Sequence, residues 1–201
     1  MLRREDEPVA VTSFGQHADE NLQFIRRTME RSSTFTAVPG LGGAGMGAIG
    51  LAAAILAANQ RSAERWLVVW LLAAAVALGI GVTTMWRKAA RSGARLVGAV
   101  GRRFALGMAA PLVAGAAITY ALWRAGDYAV MAPAWLLLYG AGVVTSGMFS
   151  APVVRALGVC FMAAGIAAIV TPQDWGNSWL ALGFGGLQIG FGIHIARHHG
   201  G

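Results

Sequence analysis

Six apolar stretches of about twenty residues each, separated by short loops, constrain this chain more than any other feature. They run over 39–58, 66–86, 104–123, 131–150, 152–170 and 178–196. At 1.5 Å rise per residue, about 20 apolar residues cross a hydrocarbon core roughly 30 Å thick. A soluble domain of 201 residues would have no use for six such runs. The expected fold class is therefore all-α, a polytopic membrane protein. It is a bundle of six transmembrane helices (37–201) behind a cytoplasmic tail (1–36) that carries an amphipathic helix at about 17–31.

Composition agrees with a lipid solvent. Hydrophobic residues make up 56% and charged residues 12%, against about 25% charged in ordinary soluble domains. The 28 glycines would weaken soluble helices, but between membrane helices small residues let backbones approach closely. The single cysteine, Cys160, falls inside the fifth stretch and has no partner for an intramolecular disulfide.

Basic residues orient the chain. With a cytoplasmic amino terminus, thirteen of the sixteen Lys and Arg residues fall on the inner side. Only Arg61, Arg65 and Arg124 fall outside. This asymmetry places both termini in the cytoplasm. The first 36 residues are polar, so no cleavable signal is expected ahead of the first span. Trp66, Trp86, Phe104, Trp123, Trp175 and Trp179 stand near span ends, where amphipathic rings favour the headgroup level. Trp70 and Trp135 lie deeper and read as core residues.

In the tail, Ala18, Leu22, Ile25 and Met29 form one stripe at helical spacing, with charged residues opposite. Such a helix lies in the headgroup layer or packs beneath the bundle. Arg87, Lys88, Arg91, Arg95, Arg102 and Arg103 form a second basic segment. So close to the membrane, they are expected to face lipid and attract acidic headgroups. No interleaved aromatics or recognisable module points to nucleic acid.

Glycine patterning marks packing faces. Gly40, Gly43, Gly47 and Gly50 share one face of the first span, with Gly42 and Gly45 on another. In the last span Gly183, Gly186 and Gly190 form a stripe that His194 continues, and Gly185, Gln188 and Gly192 form a second, roughly opposite. Gly40, Gly43, Gly47, Gly183, Gly186 and Gly190 are the expected helix-packing positions. Pro111 lies about two turns into the third span and frees the carbonyl of Gly107.

The chemistry on offer is sparse. None of the nine acids falls within a span, where carboxylates are kept only for use. No catalytic residue, cofactor site or metal site is assigned. Gln188 and His194 are the candidates for a pore or polar site, with an interhelical hydrogen bond the simpler role for Gln188. Thr119, Thr145 and Ser146 can bond back to their own helices. His194 and His198 have ligand-like spacing for a metal or haem, but the sequence shows no second ligand set.

Two segments, "NLQFIRRTMERSSTFTAVPG" before the first span and "ALGFGGLQIGFGIHIARHHG" in the last, resemble an uncharacterised group of small multipass membrane proteins from bacteria. The resemblance implies a bacterial inner-membrane protein and transfers no functional residue. The expected function is a non-enzymatic module binding a partner protein or lipid at its cytoplasmic face. A channel or carrier for a small neutral or weakly polar solute, which could work as a homo-oligomer, is the alternative. A metal or haem protein is the third.

Overall fold

The computed structural model describes Leu22, residues 38–92 and residues 99–198. The chain divides into two units, Met1–Ser33 and Thr34–Gly201. Apart from Leu22, every described residue belongs to the second unit. The amphipathic helix expected at about 17–31 lies outside the described residues, apart from Leu22, which is helical and exposed.

The second unit is helical throughout, with no strand among the described residues. Its helices are α1 (Gly40–Ala58), α2 (Ala63–Ser92), α3 (Ala99–Ala125), α4 (Met131–Gly147), α5 (Pro152–Val170) and α6 (Gln173–His198). Five are long and apolar enough to cross a membrane, while α4 is apolar but has only 17 residues. The fourth apolar stretch therefore ends earlier than the expected 131–150. Met148, Phe149 and Ser150 fold into a tight turn on the carbonyls of Thr145, Ser146 and Gly147, and Pro152 then starts α5 at a position where no amide hydrogen is needed.

Local chemistry closes the other helix ends. Asn59 and Gln60 donate side-chain hydrogen bonds to Ile55 O (2.8 Å) and Leu56 O (2.9 Å), satisfying last-turn carbonyls of α1. Helix α3 ends on Gly126 at φ +72°. Its N–H bonds Trp123 O while that of Asp127 bonds Leu122 O, a Schellman pair that only a residue at ease in the left-handed region completes cheaply.

Helix α1 packs between α2 and α6, and α4 between α3 and α5, with α6 also touching α4 and α5. The core holds Leu136, Phe161 and Leu180, all fully buried. By contrast, only 11% of the apolar window of α2 and 6% of that of α3 is buried. Leu72, Val76, Leu78, Leu106 and Val113 are exposed on them. Apolar faces this extensive require a non-aqueous surround. The molecule is thus a helical bundle built to contact a lipid bilayer.

Helix α6 is not uniform. Its residues Ala181–Leu187 form a π-helix between α-helical segments Gly176–Leu180 and Gln188–His198. π turns are rare and normally confined to single turns. Gly183, Gly185 and Gly186, without side chains to crowd the widened backbone, fall within it.

Candidate functional site

The interior is organised around α6. Gly40 packs against the backbone of Gly192 and Ala196, Gly43 against Gly192, Gly47 against Gly185 and Ile189, and Gly50 against Phe184 and Gly185. Gly42 and Gly45 instead meet Thr84 and Ile80 of α2. On α6, Gly183 fits beside Leu136 and Phe161, Gly185 beside Leu51 and Gly192 beside Ala44. Gly186 and Gly190 depart from the expected stripe. A Cβ at Gly190 would meet nothing within 4 Å, and one at Gly186 would meet only Leu182 of its own helix. The π segment is the reason. At more than four residues per turn it breaks the α-helical phase between Gly183 and the residues after it, so Gly186 and Gly190 turn outward while Gly183 and the second stripe, Gly185, Gln188 and Gly192, face neighbouring helices.

The π segment carries Phe184 into an aromatic triad with Tyr139 of α4 and Phe161 of α5. Ring centroids lie 5.0 Å (Tyr139–Phe184), 4.7 Å (Tyr139–Phe161) and 5.2 Å (Phe161–Phe184) apart, at interplanar angles near 60°. Tilted, edge-on arrangements of this kind suit the ring quadrupoles. Just beyond, the buried Gln188 donates from Nε2 to Tyr139 Oη at 2.5 Å. Gln188, one of the two side chains expected at a pore or polar site, is thus committed to its neighbour.

A second polar knot lies nearer the end of the bundle that carries loops 59–62 and 126–130. Asn177 Oδ1 accepts from the indole N–H groups of Trp66 (3.2 Å) and Trp70 (3.1 Å), and its Nδ2 donates to Ala54 O (2.9 Å). Three helices are tied by one amide. Trp66 also stacks on Trp135, with centroids 5.6 Å apart and planes 6° from parallel. Trp66 is half-buried in this cluster, and Phe104 is buried beside Ala89 and Met85 of α2. Trp86, Trp123 and Trp175 are exposed. Above the knot opens a cavity of about 570 Å³, lined in part by Trp66, Tyr128, Asp174 and Asn177.

Comparison with known protein families, curated proteins and solved structures finds no match to this chain. The site must therefore be read from its own geometry.

Hydroxyls in α3 and α4 bridge helices rather than only closing on their own. Thr145 Oγ1 lies 2.8 Å from Gly107 O, the carbonyl that Pro111 leaves without an intrahelical donor, and also within reach of Ala141 O and Gly142 O. Ser146 donates to Phe104 O at 3.0 Å, and Thr119 accepts from Trp135 Nε1 at 2.8 Å. Among the described residues no buried side-chain nitrogen or oxygen lacks a hydrogen-bond partner.

At the opposite end of the bundle, His194 and His198 are exposed, and their rings stack with centroids 4.4 Å apart. His198 Nδ1 donates to His194 O at 2.9 Å, leaving its Nε2 as the nitrogen open to a ligand. Among the described residues no group of three or more His, Cys, Asp or Glu side chains is placed to hold a metal ion. His194 is exposed while Gln188 is buried, so the two do not form one polar site.

The basic segment occupies this same end. Arg87, Arg91, Arg102 and Arg103 are exposed, and Lys88 donates to Val38 O at 3.0 Å. Arg95 lies outside the described residues. A groove of about 350 Å³ runs between α1 and α2, with Arg87, Lys88 and Arg91 on its lining. The residues that sequence reasoning misses are Asn177 and Tyr139. Asn177 stands between Gly176 and Ser178 at the start of the last apolar stretch and Tyr139 at mid-helix, and only three-dimensional contact reveals their partners.

Proposed function

We propose that this chain is a six-span protein of the bacterial cytoplasmic membrane, with both termini in the cytoplasm. In this reading it works as a non-enzymatic module that binds a partner protein or lipid at its cytoplasmic face. One observation carries it: the polar groups of the interior are spent on each other. Gln188 is taken by Tyr139, Asn177 by Trp66, Trp70 and Ala54, and the Tyr139–Phe161–Phe184 triad fills the space between α4, α5 and α6. A bundle closed in this way offers chemistry at its ends. The exposed arginines put the strongest charge at the end where the positive-inside asymmetry places the cytoplasm. The thirteen-to-three split of basic residues supports that orientation, with α4 at the short limit of a span.

A second reading, a channel or carrier for a small neutral or weakly polar solute, is favoured by the 570 Å³ cavity with Asp174 and Asn177 on its wall. Reconstitution into vesicles separates the two. Light scattering after an osmotic step of glycerol or urea should match protein-free vesicles. Protein-dependent solute entry would overturn the first reading in favour of the second.

A further inference from the structure

The groove at the basic end combines features that together define a ligand. Arg87 and Arg91 are four residues apart on α2 and so share a face, where like charges repel unless an anion lies between them. Lys88 joins them on the lining, its ammonium anchored by the bond to Val38 O ahead of α1. Thr84, one turn deeper, lines the groove too, and no carboxylate among the described residues does. The wall across from the cations is apolar: Leu41, two-thirds exposed, stands at the start of α1. Trp86, immediately before Arg87, is also two-thirds exposed, as suits a ring at headgroup level. Cations beside an exposed apolar wall match a molecule that carries both chemistries.

We propose that the groove between α1 and α2 is a binding site for an anionic phospholipid, its phosphate held by Arg87 and Arg91 and one acyl chain laid along Leu41. Arginine presents a planar fork of donors suited to phosphate oxygens. The anchored Lys88 adds a positive point charge that does not need to move on binding. The apolar wall is what distinguishes a lipid from free phosphate, which would gain nothing from Leu41. This deepens the reading of a cytoplasmic binding face and rests on it for the leaflet involved.

The test uses the full chain in neutral detergent, titrated with phosphatidylglycerol or phosphatidylcholine and read by native mass spectrometry. Each arginine close to an acidic headgroup contributes about fivefold in affinity, so Arg87→Gln with Arg91→Gln should weaken phosphatidylglycerol binding roughly 25-fold and leave phosphatidylcholine unchanged. The matched pair Arg102→Gln with Arg103→Gln removes the same charge from α3 and should change binding less than threefold. Arg87→Lys with Arg91→Lys should restore most of the affinity, which separates lost charge from a folding defect. Equal loss in both glutamine pairs would overturn the site, leaving a general basic surface. Equal binding of the two lipids would overturn it as well, and so would competition by glycerol phosphate or inorganic phosphate as strong as that by the lipid. Solute entry in the vesicle experiment would instead defeat the non-conducting reading and leave the lipid result standing, so the two failures are distinguishable.

Discussion

Replacing Gly47 by alanine tests the contact between α1 and α6 with a single methyl group. The added carbon would lie 2.6 Å from Ile189 Cγ1, 2.8 Å from Ile189 N and 2.9 Å from Gly185 O, where ordinary contact begins at 3.4 Å. The side-chain atom can swing away, but the two backbone atoms cannot. Helix α6 must therefore retreat by about 0.5 Å along much of the interface, which loosens the Gly43–Gly192 contact with it. Overpacking of this kind costs about 1–3 kcal/mol, partly offset by the roughly 1 kcal/mol that alanine gains over glycine in a helix. Gly190→Ala is the internal control, because its methyl enters open space and only the propensity gain remains. The two variants should differ by about 1–3 kcal/mol, with Gly47→Ala the less stable, at roughly 2–4 °C of melting temperature per kcal/mol. Thermal unfolding in one detergent, followed by tryptophan fluorescence, measures the gap. If Gly190→Ala falls as far as Gly47→Ala, the inward face of α6 has been misassigned and the π-induced change of phase with it.

Further outcomes concern the polar knots. Asn177→Ala orphans two indole N–H groups and removes the second donor from the Ala54 carbonyl, and should cost about 2–4 kcal/mol with a red shift of tryptophan emission; wild-type stability would mean the amide is replaced by water. A double-mutant cycle of Tyr139→Phe and Gln188→Leu should give a coupling of about 0.6 kcal/mol and no more than about 1.7, and a value of zero would remove the bond from the account. Thr145→Val should destabilise by about 1 kcal/mol. That cost should shrink in a Pro111→Ala background, where position 111 again offers an N–H to Gly107 O; an equal cost in both backgrounds would show that Thr145 does not serve that carbonyl.

How much the sequence discloses differs from helix to helix. The apolar runs and their loops locate the helices closely, because length and composition alone decide which segments tolerate a hydrocarbon surround. Gly126 and Pro152 are readable for the same local reason: one allows the left-handed turn and the other needs no donor at a helix start. Helix α1 is a regular α-helix, so a 3.6-residue period places Gly40, Gly43, Gly47 and Gly50 on one side and Gly42 and Gly45 on another. Helix α6 defeats the same arithmetic, since nothing in "ALGFGGL" distinguishes a π segment from a glycine-rich α-helix. A uniform period assigns Gly186 and Gly190 to a phase that the backbone does not keep. The knots at Asn177 and Tyr139 join residues up to 123 positions apart, and pairings of that kind are set by packing rather than by spacing. Pro111 illustrates a half-legible site. Its freed carbonyl is dictated by covalent structure, whereas the choice of Thr145 as donor is a property of the neighbouring helix.

The proposed six-span topology requires every apolar helix to cross, including the 17-residue α4. Asp127 and Met148, both exposed, flank that helix. In a Cys160→Ala background, Asp127→Cys and Met148→Cys variants can be labelled in intact cells with a membrane-impermeant maleimide. Six spans with a cytoplasmic amino terminus give labelling at position 127 from outside the cell, and at position 148 only after the membrane is opened. Labelling of both positions from the same side would show that α4 does not cross. The six-span bundle would then fall, and if position 127 is labelled only after the membrane is opened, the cytoplasmic placement of the basic end falls with it.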